Sequence, residues 1–291
     1  MAKILITGAS GKLGSLVIRH LVDSQGLSPA DIIAGSRNPQ DLEALKTQGI
    51  ETRKVDFSDE AGLSTAFSGV ERLLIISTDA IGQRLAQHVS AVHAAKAAGV
   101  KRVFYTSMPK ADASAIQFAP EHLGTEEAIK ASGLAYTIFR NGWYMENLLM
   151  SLPKALASGQ WFSASGEGGV SYIARNDIAS AIAAGLARPV SDNVTYTLTG
   201  SRAFSKREIA ALVTKTTGKP LTVVDISDEA LIAGMEAAGF PAAVAPVFAS
   251  IDKAIRQDDL AMVTDDAEQL TGKPRVSFEA FITASKDALL G

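Results

Sequence analysis

Cysteine is absent from this chain. Its absence excludes disulfides, a thiol nucleophile and thiolate metal ligation. Histidine is scarce, with four residues, and none stand at the spacing of a metalloprotease zinc site. No apolar run approaches the ~20 residues a membrane span needs. The apolar stretch in the opening MAKILITG, about four residues, is too short for a signal-peptide core. Excess charge is also small. A net charge of −3 and a pI near 5.9 give no electrostatic pull toward nucleic acid or an anionic membrane. What remains is a soluble, globular composition, 47% apolar and 20% charged, over 291 residues. That length buries one large core or two modest ones. The expectation is a cytoplasmic protein, monomer or homodimer, with neither nucleic acid nor membrane as partner.

The first half alternates short β-rich runs with helical patterns. KILIT at 3–7, IIAGS at 32–36, TRKV at 52–55, LLIIS at 73–77, RVFYT at 102–106 and YTIF at 136–139 read as strands. LLIIS is continuously apolar, as a strand buried on both faces should be. Helical spacing fills 12–22, 39–47, 60–67, 85–98 and 120–131. This alternation predicts an α/β fold, a Rossmann-type doubly wound parallel sheet covered by helices on both faces. After about residue 145 the pattern becomes mixed and more helical. Ser205 and Glu208 form a capping box that opens a helix. Residues 195–199 and 221–225 look like strands, and helices start near Asp228, Pro241 and Phe278. The expected division is a nucleotide-binding domain over 1–147 and a smaller, mostly helical lobe over 148–291, with 170–190 packing back on the first.

ITGASGKLGS, at 6–15, sets Gly8, Gly11 and Gly14 between the first strand and the first helix. In that setting Gly8 makes the turn, Gly11 lets backbone approach a pyrophosphate, and Gly14 lets helix and sheet close up. Ser10, Lys12 and Leu13 belong to the same turn, whose helix start presents N–H groups to phosphate. At the end of the second strand an NAD enzyme usually places an acid for the ribose 2′-hydroxyl. Here Ser36-Arg37 stands there instead. A guanidinium pairs with a 2′-phosphate that a carboxylate would repel, so the cofactor indicated is NADP(H). The alternative is that Arg37 is an ordinary solvated surface charge.

With Thr7 before it, the Gly-x-x-Gly-x-x-Gly spacing resembles the short-chain dehydrogenase/reductase superfamily in its extended or atypical branch. By that resemblance Asp56 and Phe57 hold the adenine edge. Ser77 and Thr78, with Thr106 and Ser107, line the ribose and nicotinamide path. The superfamily's usual Tyr-x-x-x-Lys pair is missing: the corresponding helix reads APEHLGTEEAIKASG, with His122 and Glu126 four apart. Alcohol–ketone chemistry with a tyrosine proton donor is therefore disfavoured. FYTSM, PEHLGTEEAIKASG and above all RNGWYMEN at 140–147 resemble the NmrA-like atypical reductases, in the flavin-free NADPH:quinone oxidoreductase branch near the triphenylmethane dye reductases.

That resemblance implies hydride transfer from NADPH to a quinone or other aromatic acceptor, such as an azo or triphenylmethane dye, with the proton taken from water. Asn141, Tyr144 and His122 would hydrogen-bond near the nicotinamide and acceptor oxygens. Met108, Trp143 and Met145, with Tyr144, would wall the flat acceptor. Alternatives stand beside these roles: His122 paired with Glu126 on a partly exposed helix face, and Trp143 and Tyr144 as packing between lobes. The rival function is an NmrA-like sensor that binds NADP(H) without turnover. A sugar-nucleotide epimerase is disfavoured, because it too needs the Tyr/Lys pair.

Overall fold

A computed structural model describes residues 3–189 and 192–291. Strands β1 (Ile4–Ile6), β2 (Ile32–Ser36), β3 (Glu51–Lys54), β4 (Arg72–Ile75), β5 (Arg102–Ser107) and β6 (Ala135–Asn141) alternate with helices α1 (Lys12–Asp23), α2 (Glu43–Lys46), α3 (Glu60–Ala66), α4 (Arg84–Ala97) and α5 (Ala119–Ser132). The second half adds α6 (Leu152–Ser158), β7 (Gln160–Ser163), β8 (Gly169–Val170), α7 (Arg175–Ala187), β9 (Val194–Leu198), β10 (Phe204–Ser205), α8 (Lys206–Thr217) and β11 (Thr222–Asp225). Helices α9 (Asp228–Ala237), α10 (Ala245–Arg256), α11 (Asp266–Thr271), α12 (Phe278–Ala284) and α13 (Lys286–Leu290) complete the described chain.

Seven strands form one parallel sheet in the order β3-β2-β1-β4-β5-β6-β9. Strands β1, β2 and β5 are buried along their whole length, the pattern of a sheet covered on both faces. One core cluster joins Ile6, Val17, Ile18, Phe104, Phe139 and Ile182 on the α1/α7 face. A second joins Leu5, Phe67, Leu73, Val92, Tyr105 and Ile129 on the other. A third core lies in the C-terminal lobe, around Leu152, Trp161, Phe204, Ile209 and Phe278.

The structure differs from the sequence reading in where the sheet ends. Strand β9, expected in the smaller lobe, pairs parallel with β6 and closes the edge of the central sheet. Phe104, Phe139 and Tyr196 stack across β5, β6 and β9. Helix α7 presses on this layer so closely that a Cβ on Gly185 would come within 2.7 Å of the Phe139 ring. Ala267 and Leu270 of α11 join the same core. Two-stranded pairings β7–β11 and β8–β10 hold the lobe, and only β11 of these four was legible as a strand. The helix expected from Pro39 is a 3-10 turn followed by one turn of α-helix. The Ser205–Glu208 capping box forms as its spacing predicts.

Candidate active site

In a parallel sheet, ligands bind outside the carboxyl ends of the strands, where the strand order reverses. Here the reversal lies between β1 and β4. The glycine turn leaves β1 at that crevice. Gly8 sits at φ +59°, a conformation that suits glycine. A Cβ on Gly14 would lie 2.3 Å from Gly8 O and 2.9 Å from Ala9 Cα, so only glycine lets α1 start this close to the strand. The turn is tied on both sides: Ala9 N donates to Gly35 O, and Ile76 N donates to the Thr7 hydroxyl. Ser10 and Ser36 hydroxyls lie 3.1 Å apart, linking the turn to the end of β2. Gly8, Gly11, Ser10 and Lys12 are exposed, and so is Arg37, one residue beyond β2. Leu13 is buried in the core, so only its backbone can face a ligand.

Residues after the next strands are more committed than the sequence suggested. The Asp56 carboxylate accepts from both the N–H and the hydroxyl of Ser58; these bonds hold it below the usual carboxylate range. Phe57 packs into the core cluster beside Leu63 and Phe67. Thr106 Oγ1 accepts from Ser77 N, and Ser107 Oγ donates to Glu126, so both hydroxyls are spent inside the protein. Thr78 is held at both backbone atoms. Its N–H donates to His88 Nε2 at 3.2 Å, and its carbonyl accepts from Arg84 Nε at 2.6 Å.

His122 is a correction to the sequence reading. It is 5% exposed and does not pair with Glu126. Arg84 Nη1, which can only donate, lies 2.9 Å from His122 Nε2, so that nitrogen is the acceptor. Nδ1 then carries the proton and donates to the Tyr105 hydroxyl at 2.8 Å. Both ring nitrogens are engaged within the protein and neither is offered to a ligand. Burial and the Arg84 charge push its pKa down to about 3. His88, deeply buried, is likewise pushed down to about 3 by burial and Arg84. Sequence reasoning missed Arg84, His88 and Tyr105 altogether; only the four-residue spacing of Arg84 and His88 on α4 could have hinted at a shared face.

Glu126, with no exposed surface, turns instead to β6. Arg140 donates Nε and Nη2 to its two oxygens, at 2.9 and 2.8 Å. Burial alone would raise the Glu126 pKa, but Arg140, Ser107 and Lys130 outweigh it and the net shift is downward.

Beyond Arg140 the backbone crosses between lobes. Gly142 N donates to Leu198 O, while Ile173 N donates to Trp143 O and Met145 N to Ile173 O. Alternation along this extended stretch sends Trp143 and Met145 to the C-terminal core and Tyr144 to the α1/α7 core. Met145 and Met108 are buried core residues, which corrects their expected role as an acceptor wall; Trp143 and Tyr144 keep partial exposure. The Arg175 guanidinium lies 4.7 Å over the Tyr144 ring. Burial raises the Tyr144 pKa against the opposing pull of Arg175 and Asn141, so the phenol stays protonated near neutrality. Asn141, at the carboxyl end of β6, keeps a buried Oδ1 with no hydrogen-bond partner. A buried polar atom left without a partner is costly, and a ligand that supplies a donor removes that cost.

The NmrA-like family model matches residues 1–266. Quinone oxidoreductase 2 of Escherichia coli is 39% identical over 271 residues, covering 93% of this chain and 94% of that protein. An NAD(P)H azoreductase of Xenophilus azovorans is 29% identical, with 97% of each chain covered. Among solved structures, the E. coli NADPH-dependent quinone oxidoreductase complexed with NADPH superposes with a TM-score of 0.93 at 38% identity, covering 97% of this chain and 99% of that one. The Citrobacter triphenylmethane reductase complexed with NADP(H) gives 0.91 at 32% identity, covering 98% of this chain and all of that one.

Proposed function

This chain belongs to the NmrA-like family, and on that footing we propose that it is an NADPH-dependent reductase of quinone- or dye-type acceptors. The observation that carries the reading is the fate of His122 and Glu126. They occupy the two positions where a tyrosine and a lysine would serve alcohol–ketone chemistry, and both are locked into the framework. A site in which these two positions supply no tyrosine–lysine proton relay suits an acceptor whose reduced form is a stabilised anion or a neutral dye, with any proton coming from water.

The residues present fit the cofactor: the Gly14 approach leaves room for nothing but backbone, and Asn141 Oδ1 is an unfilled acceptor. NADPH, when bound, supplies the hydride. The exposed glycine turn and the start of α1 would hold the pyrophosphate, with Lys12 adjacent. Arg37 would fork onto the 2′-phosphate. Ser77 and Thr78 present backbone along the crevice, held rigid by Thr106, His88 and Arg84. Asn141 and Tyr144 would hydrogen-bond at the carboxyl end of β6, Tyr144 as a neutral donor, while Trp143 offers an apolar edge to a flat ring. His122 acts through Arg84 and Tyr105 as a positioning residue. Holding both reactants in one geometry is the protein's main contribution.

The acceptors in this reading are small molecules, the protein works as monomer or homodimer, and its location is cytoplasmic. No helix among the described residues is long and apolar enough to cross a membrane. The test is loss of NADPH absorbance on adding a simple benzoquinone to flavin-free protein. Consumption above the uncatalysed rate is expected. Tight NADPH binding with no consumption would overturn the reductase and leave the sensor.

A further inference from the structure

At the end of the sheet opposite the crevice, the amino ends of β4, β5 and β6 meet the end of α7 around a cavity of about 260 Å³. Arg72, Lys101, Arg102 and Arg188 line it with Glu71 and Ala135. Four cations and one carboxylate therefore line the cavity, and the Asp192 carboxylate also acts on Arg102. Two of the cations are neighbours by register: Arg72 of β4 is the direct partner of Arg102 of β5. Registered residues of adjacent parallel strands lie about 4.8 Å apart at the backbone and project to the same face.

The guanidinium groups are oriented by backbone carbonyls. Arg72 donates to Leu186 O, Arg102 to Tyr136 O and Asp192 O, and Arg188 to Leu270 O. These carbonyls use only part of the five donors of Arg72 and of Arg188, and a neutral partner cancels no charge. The helix-end carbonyl of α7 offsets a fraction of it, and Asp192 draws on Arg102. Among the described residues, Arg72, Lys101 and Arg188 enter no ion pair with a carboxylate. Burial and the Arg72 charge both disfavour the charged form of Arg102. A multiply charged oxyanion is the ligand that removes this repulsion, because planar forks match its geometry.

We propose that this cavity is a second anion site, separate from the cofactor crevice, that takes a phosphate- or diphosphate-type oxyanion between Arg72, Lys101 and Arg188. It lies below the size of sites that hold drug-sized molecules, so a whole dinucleotide does not fit. The site is independent of the redox reading, since it sits at the other end of the sheet.

The test is calorimetric titration with inorganic pyrophosphate at constant ionic strength, with NADP+ saturating so that the glycine turn is filled. One saturable site is expected. Lys101→Ala with Arg188→Ala should weaken it at least tenfold while leaving quinone reduction intact, which shows the variant folded. Arg37→Asp should leave it unchanged. No heat beyond a sodium chloride control would overturn the proposal, as would full affinity in the double variant. Loss of binding in Arg37→Asp alone would assign the anion to the cofactor site and overturn it equally.

Discussion

Arg140 grips Glu126 with two parallel hydrogen bonds, at 2.9 and 2.8 Å, across the space between β6 and α5. Ser107, the register partner of Arg140 on β5, donates to the same carboxylate at 2.7 Å. One buried side chain thus binds together the carboxyl ends of the two strands that flank the site. Glu126→Gln keeps the shape but turns an amide donor toward a guanidinium that can only donate. Breaking such a pair should cost about 3 kcal/mol, read from urea denaturation. Because Arg140 precedes Asn141, kcat should fall as well. A variant as stable as the parent would refute this role.

The buried histidines make the fold acid-sensitive. Unfolded histidine takes a proton near pH 6.5, whereas His88 and His122 resist it down to about 3. The unfolded state therefore binds more protons below 6.5, and stability falls as pH drops from about 6.5 toward 3. The slope is up to ~1.4 kcal/mol per pH unit for each histidine. Glu126, whose pKa is lowered, adds loss in the same direction as pH falls through the carboxylate range. Denaturation at pH 7 and 5 checks this, and His122→Asn should flatten the dependence.

Arg37 stands exposed just past β2. Arg37→Asp should raise the KM for NADPH by roughly tenfold to a hundredfold, the worth of one charged hydrogen-bonded contact, and barely change that for NADH. Steady-state kinetics with both cofactors decide it; equal effects would remove Arg37 from the site.

Gly14→Ala forces a methyl onto backbone atoms at 2.3 and 2.9 Å. Neither can move as a flexible side-chain tip would, so about 1–3 kcal/mol of stability should be lost, with NADPH affinity down more than tenfold. Gly234→Ala is the control, since nothing lies within 4 Å of its added carbon. Inside α9 it should be neutral or stabilise by up to about 1 kcal/mol.

Asn141→Ala separates binding from folding. It removes a buried oxygen without a partner but also the amide contact to Tyr144, so the ligand-free protein should lose no more than about 1 kcal/mol. NADPH affinity should drop, measured by quenching of protein fluorescence. Unchanged affinity would show that Asn141 does not touch the cofactor.

Local chemistry was enough to read the α/β alternation, the glycine turn, the Ser205–Glu208 cap and the absence of a Tyr/Lys pair. Each depends on residues within one turn or one strand. Tertiary structure alone decided the rest. The run at 195–199 looks like any short strand; its place beside β6 follows from the stack of Phe139 on Tyr196 and from the close approach of Gly185. Spacing put His122 and Glu126 on one helical face and suggested they meet each other. In the fold, better partners arrive from other elements: Arg84 and Tyr105 for one, Arg140 and Ser107 for the other. A helix spacing sets only which side chains can be neighbours. In a buried, low-dielectric layer the pairing is decided by which donors and charges long-range packing delivers.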